Sequence, residues 1–168
     1  MIDQLELPLS VEILTTNNKI VMVDIEDYEL VSSFRWWAQK SYYTFYAQRN
    51  VKVNFKYTTQ YMHTMITGFP YVDHINGDGL DNRKENLRES NNTLNKANAR
   101  KRTGCTSKYK GVHWYCRTAK WRVQINKDYK NIHLGYFMNE ENAARAYDEA
   151  AIELFGDHAR LNFPKGGK

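Results

Sequence analysis

The sequence predicts an α+β protein, with a β-rich N-terminal part and, toward the C-terminus, a three-stranded antiparallel sheet packed on one helix. Three observations predict it. Apolar and aromatic runs of strand length occupy residues 1–58, among them Ile20-Val21-Met22-Val23-Asp24-Ile25 and Tyr42-Tyr43-Thr44-Phe45-Tyr46. Three more strand-like runs, 109–117, 120–127 and 130–137, are separated only by Thr118-Ala119 and Asp128-Tyr129, the spacing of tight hairpins. Beyond them Ala143, Tyr147, Ala150 and Leu154 recur at intervals of three and four, the period of a helix face.

The elements follow in order. The run from Ile20 is bounded by Asn17-Asn18, a turn signal. Trp36-Trp37 and the tyrosines that follow could form a base-stacking platform. A small sheet that fills its core with large side chains accounts for them better. Residues 59–98 are polar and rich in loops, with Gly77 and Gly79 permitting tight turns. A polar helix is expected next, with Ser90 as its N-cap. Residues 99–108 read as a basic linker. The final helix is expected over 139–155. Ala144, Ala146 and Ala151 let it lie close on a sheet, and Gly156 stops it. The expected division is a domain over 1–98, the linker over 99–108 and a second domain over 109–168.

Charge is unevenly placed. Residues 1–90 hold nine Lys/Arg against twelve Asp/Glu, and residues 91–168 hold fifteen against seven. Between positions 96 and 133 there are eleven basic residues and a single acid, Asp128. So dense a positive block repels itself unless a polyanion is near, which points to nucleic acid. No stretch is long and apolar enough to span a membrane. The first six residues lack the pattern of a signal peptide. Cys105 and Cys116 are too few for a disulfide framework or a four-cysteine zinc site and read as free thiols, though they could pair with each other. These features place the expected protein in the cytoplasm, with no membrane and no obligate protein partner.

Hydrolysing a phosphodiester requires a deprotonated water, a stabilised phosphorane and a neutralised leaving oxygen. An imidazole with a pKa of about 6.5 suits the first task. A hard divalent cation on oxygen ligands suits the others. Val72-Asp73-His74-Ile75-Asn76-Gly77-Asp78, Leu80-Asp81-Asn82-Arg83, Glu85-Asn86-Leu87-Arg88, Asn95 and Asn98 offer such groups. Together they resemble the HNH endonucleases of phages and mobile introns. Val23-Asp24 and Met62-His63 resemble the N-terminal extension of that subgroup. The resemblance implies a β-β-α-metal core. Asp73 and Asn95 would hold one Mg²⁺ or Mn²⁺, His74 would be the general base, and Asn86 would hold the loop and orient His74. His63 would either contact phosphate or be an ordinary packed or surface histidine. A regular strand points neighbours to opposite faces, so Asp73 and His74 could share a phosphate only if the backbone bends or they approach it from two sides.

Lys110-Gly111-Val112, 120–125, 133–137, 141–151 and Leu161-Asn162-Phe163-Pro164 resemble the AP2 domain over residues 106–164. That resemblance implies a sheet that enters the major groove of double-stranded DNA. Alternation assigns the faces independently. Trp121, Val123 and Ile125 share one parity and would pack on the helix, whereas Arg122, Gln124 and Asn126 share the other. His113, Tyr115, Asn131 and His133 would join them on the DNA side. Lys108, Lys110, Arg117, Lys120 and Lys130 would meet phosphates. Taken together, the expectation is a site-specific, metal-dependent DNA endonuclease of homing type. Its alternative is a non-catalytic, AP2-type DNA-binding regulator. A structural RNA binder is a more remote possibility.

Overall fold

The computed structural model describes residues 9–164. The readings made above for the first six residues and for the last four lie outside that range. The chain divides into two compact units, one ending at Ser90 and the other beginning at Asn91.

In the first unit, β1 (Ser10–Leu14) and β2 (Ile20–Asp24) form an antiparallel pair, and alternation buries Val21 and Val23. A short helix, α1 (Tyr28–Ser32), adds Val31. A three-stranded antiparallel sheet follows: β3 (Trp37–Lys40), β4 (Phe45–Val53) and β5 (Lys56–Tyr61), with β4 central. Helix α2 (Met62–Thr67) then contributes Met62. The core is Val21, Val23, Val31, Trp36, Ala47 and Met62. The Trp36 indole N–H donates to the Val31 carbonyl at 2.8 Å, so the largest buried ring has its polar atom satisfied. The aromatic surplus is only partly core, because Trp37, Tyr42, Phe55 and Tyr57 are exposed. A last pair, β6 (Val72–His74) and β7 (Leu87–Glu89), brackets a long loop. Gly79 in that loop lies so close to β4 that a Cβ there would come within 2.4 Å of the Tyr46 ring.

The second unit opens with α3 (Asn92–Asn98). Its N-cap is Asn91, whose side chain accepts from the amides of Thr93 and Leu94, and not Ser90 as expected. The three predicted strands are present, the first shorter than expected: β8 (Val112–Tyr115), β9 (Lys120–Lys127) and β10 (Lys130–Phe137), with β9 central. Asp128 and Tyr129 both take positive φ, 48° and 64°, as a two-residue hairpin turn of the I′ kind requires. Helix α4 (Glu140–Phe155) starts at its N-cap Asn139, which accepts from Asn142 N. It lays Ala143, Ala144, Tyr147 and Ala151 on Val112, Val123 and Ile125.

The division differs from the expected boundary at 98. Ala97 belongs to the second core and Leu94 packs against it, so α3 groups with the sheet that follows. Nor is 99–108 a bare linker. Ser107 is buried and donates to Glu140, and Thr106 accepts from Trp114 N.

Candidate nucleic-acid interface

The face of the β8–β9–β10 sheet turned away from α4 is built by register. His113 lies opposite Arg122, Tyr115 opposite Lys120, Asn131 opposite Asn126 and His133 opposite Gln124. These are the residues that alternation placed there, and they are half-buried or exposed while Val123 and Ile125 are buried. Their side chains form a polar network. Gln124 Nε2 and His113 Nε2 are 3.4 Å apart, and Asn126 Nδ2 donates to Asn131 Oδ1 at 3.2 Å. The acid of the basic block, Asp128, accepts from the Thr93 hydroxyl at 2.9 Å. Burial first, then the charges of Lys101 and Arg122, hold the pKa of His113 below the ordinary imidazole value.

One residue of this face was missed. The register of β10 shifts between His133 and Gly135, where Gly135 adopts φ 128°, and the shift brings Tyr136 opposite Arg122. The Tyr136 ring then lies tilted at 5.6 Å from Tyr115 and 4.7 Å from His133, and the Arg122 guanidinium lies 5.4 Å from the Tyr115 ring. A strict two-residue period hides this; Gly135 inside a strand pattern was the available signal.

The expected phosphate contacts separate. Arg117 and Lys130 are exposed, Lys120 is half-buried, and the Lys108 ammonium lies over the Tyr109 ring at 5.0 Å. Lys110 is a correction. Its ammonium donates to the carbonyls of Lys96, Ala97 and Ala99, so it caps the C-terminus of α3 instead of facing DNA. Burial, then the charge of Arg160, bring its pKa down to about 8.

The residues expected to form a metal-dependent site are arranged as follows. Asp73 and His74 sit on a regular strand in register with Arg88 and Leu87, so they point to opposite faces with no bend between them. Asp73 Oδ2 accepts from Arg88 Nε at 2.9 Å and from Nη2 at 2.6 Å. On the other side His74 is buried, with its Nε2 3.4 Å from Asn82 Oδ1 and its ring 5.0 Å from that of His63. Burial lowers the His74 pKa. His63 is packed, stacked on Tyr61 at 5.2 Å with Tyr46 at 5.8 Å. Burial and the nearby His74 bring its pKa down to about 3. Asn86 staples the loop: Oδ1 accepts from Asn76 N at 2.9 Å and Nδ2 donates to Asp81 O at 2.8 Å. Asn95 lies on α3, in the second unit.

The Asp73 carboxylate carries the Arg88 guanidinium, and Asn95, the other expected ligand, lies on α3. Among the described residues, the acidic or imidazole groups close enough for a shared ion are Asp24, Glu26 and Asp27. There the Lys84 ammonium reaches Glu26 at 2.6 Å and Asp27 at 3.1 Å. Cys105 and Cys116 are both free and exposed. No described helix is long and apolar enough to cross a membrane.

The second unit is thus a three-stranded antiparallel sheet on one helix, with a polar and basic outer face. The chain is 45% identical over 58 residues to APETALA2-like protein 2 of Oryza sativa, which is 34% of this chain and 13% of that protein. It is 43% identical over 61 residues to the AP2-like ethylene-responsive transcription factor TOE2 of Arabidopsis thaliana, 36% of this chain and 13% of that one. It is 41% identical over 59 residues to the ethylene-responsive transcription factor WRI1 of Arabidopsis thaliana, covering 34% and 14%. No family model matches the chain. These similarities indicate an AP2/ERF-type domain within the chain, while the chain spans only about an eighth of the length of the first relatives. They also correct the expected activity. TOE2 and WRI1 are named as transcription factors, and that finding overturns the reading of the chain as an endonuclease.

Proposed function

We propose that this chain is a non-catalytic, double-stranded-DNA-binding protein of regulatory type that reads the major groove with the outer face of its β8–β9–β10 sheet. The observation that carries the proposal is that face. Arg122, Gln124, Asn126, Asn131 and His133 stand on it in register, inside a block of eleven basic residues and one acid. Arg pairs in bidentate fashion with guanine, and amides pair with adenine, on the major-groove edge. Arg122 Nε is buried with no hydrogen-bond partner among the described residues, and so is a donor open to an acceptor. His113 is neutral at pH 7 and can accept as well as donate. Tyr136 and Tyr115 flank Arg122 and restrict its rotamers. Lys108, Lys120, Arg117 and Lys130 supply sequence-independent attraction to phosphates.

The test is selection of duplexes from a random library with the full chain, followed by titration of Arg122→Ala and Lys120→Ala on selected and random DNA. Arg122→Ala is expected to cut discrimination by about 1–3 kcal/mol, the range for one bidentate base contact. Lys120→Ala is expected to weaken both duplexes alike. Failure of the wild-type chain to enrich any sequence sinks the sequence-reading role, and binding independent of salt sinks the interface itself.

A further inference from the structure

We infer that the first unit carries a second surface for duplex DNA, the two-stranded ribbon formed by the distal halves of β4 and β5. It lies wholly within the first unit and does not rest on the reading of the β8–β9–β10 sheet.

Three observations carry it. The first is shape. β3 pairs with β4 only over residues 45–48, whereas β4 and β5 remain paired from Gln48↔Tyr61 to Val53↔Lys56. Residues 49–60 are thus a hairpin running past its third strand for about 17 Å, at roughly 3.3 Å per residue. A two-stranded ribbon is an element the major groove admits.

The second is chemistry. From Leu30 to Val72 the chain has five basic residues, Arg35, Lys40, Arg49, Lys52 and Lys56, and no Asp or Glu. The acids of this net-negative unit lie before and after that span. Ala47 and Ala38 are buried, which fixes the inner face, so Asn50, Lys52, Tyr57 and Thr59 share the outer one. Amide, hydroxyl and ammonium donors stand there in register, Asn50 opposite Thr59 and Lys52 opposite Tyr57, with Tyr57 76% exposed. A surface without carboxylates complements a polyanion and repels no phosphate.

The third is strain at the tip. Asn54 and Phe55 have φ 48° and 65°. Such a turn favours glycine at its second position, and a bulky side chain there is disfavoured. Phe55 nonetheless holds that position while 94% exposed, with the Lys52 ammonium 5.8 Å from its ring. An apolar wedge flanked by Lys52 and Lys56 fits between base steps or against thymine methyls.

The experiment uses the full chain and a fluorescent duplex titrated at several salt concentrations. The double variant K52Q/K56Q is expected to lower the slope of log affinity against log salt by about 1.8, two phosphates at about 0.9 each. Phe55→Gly is expected to leave Tm equal or higher, since it relieves the left-handed strain, yet to weaken duplex binding at least about fivefold, the lower end of an aromatic–base contact. A merely structural Phe55 moves stability and not affinity, and that result overturns the proposal. So does an unchanged salt slope for K52Q/K56Q in a folded protein, or a loss confined to single-stranded competitors. Arg122→Ala, run in parallel, separates the two surfaces: if it changes binding while the ribbon variants do not, the ribbon proposal fails and the sheet reading stands.

Discussion

His63 shows how far burial outweighs residue type in setting what a side chain does. An imidazole titrates near 6.5 in the unfolded chain. In the fold, burial among Tyr61, Tyr46 and His74 brings it down to about 3, so it stays neutral over the whole ordinary pH range. The consequence for stability has a definite sign. Between about pH 6.5 and pH 3 the unfolded chain binds a proton here that the folded chain refuses, so stability falls as pH falls through that window. From pH 7.5 to 5.5 the loss is about 1.4 kcal/mol for this one group, which lowers Tm of the first unit by roughly 5–10 °C. His74, shifted the same way by burial, adds to the loss. Melting followed by NMR signals of Val21, Val23 and Ala47 measures it, and His63→Phe should flatten the dependence. A Tm that does not change over this range would mean that the imidazole is solvated. The sequence offered His63 two readings, phosphate contact or packing; its ring contacts place it in packing. Lys110 was misread for a related reason. Its charge was legible, but the three carbonyls it caps come from a helix more than ten residues away in sequence.

At the scale of elements, local patterns were most legible where period and turn chemistry agreed. The β9–β10 hairpin, the start of α4 near Asn139 and the inward parity of Val123 and Ile125 could all be read from the sequence. The bulge, signalled by Gly135 alone, the cap at Asn91, one residue past Ser90, and the shorter β8 were not read. Gly111, at the entry to β8, makes a tertiary contact that no local pattern displays. Its φ is +77°, and a Cβ there would come within 2.0 Å of the Tyr147 ring and 2.9 Å of the Gln124 carbonyl. That ring is fixed in the core, and the carbonyl accepts no displacement without breaking the sheet. Gly111→Ala is therefore expected to destabilise the second unit by roughly 2–5 kcal/mol. Gly104 has the same φ of +77° with nothing within 4 Å, so Gly104→Ala isolates the backbone cost, about 1 kcal/mol. Denaturant midpoints of the two variants check this. Equal losses would show that the helix shifts to accommodate the methyl.

For the whole molecule, charge showed from the sequence that the two parts differ in sign, but not where they divide. The break was expected at 98 because the resemblance to HNH endonucleases runs through Asn95 and Asn98; packing instead gives α3 to the second unit. Ala97 lies in its core, Leu94 packs beside it, Arg160 N donates to the Ala97 carbonyl at 3.2 Å, and Lys110 caps the helix end. This makes an opposed pair of expectations for two fragments. Residues 91–168 should melt cooperatively. Residues 104–168 keep the sheet and α4 but lose α3, which exposes the apolar surface that Leu94 and Ala97 cover and leaves the Lys110 ammonium without its carbonyls. Burial of one leucine side chain contributes about 2 kcal/mol, so the shorter fragment should melt at least about 8 °C lower. Both retain Arg122, Gln124 and Lys120 on one face and Lys130 at the hairpin end, so where both are folded the salt dependence of duplex binding should be nearly the same, apart from any phosphate contact by Lys96, Arg100, Lys101 or Arg102. Calorimetry of the two fragments beside anisotropy titrations at matched salt separates the effects. Equal Tm values would return the boundary to 98 and make α3 an appendage, whereas a salt slope that collapses in the shorter fragment would move the main phosphate contacts from the sheet to residues 91–103.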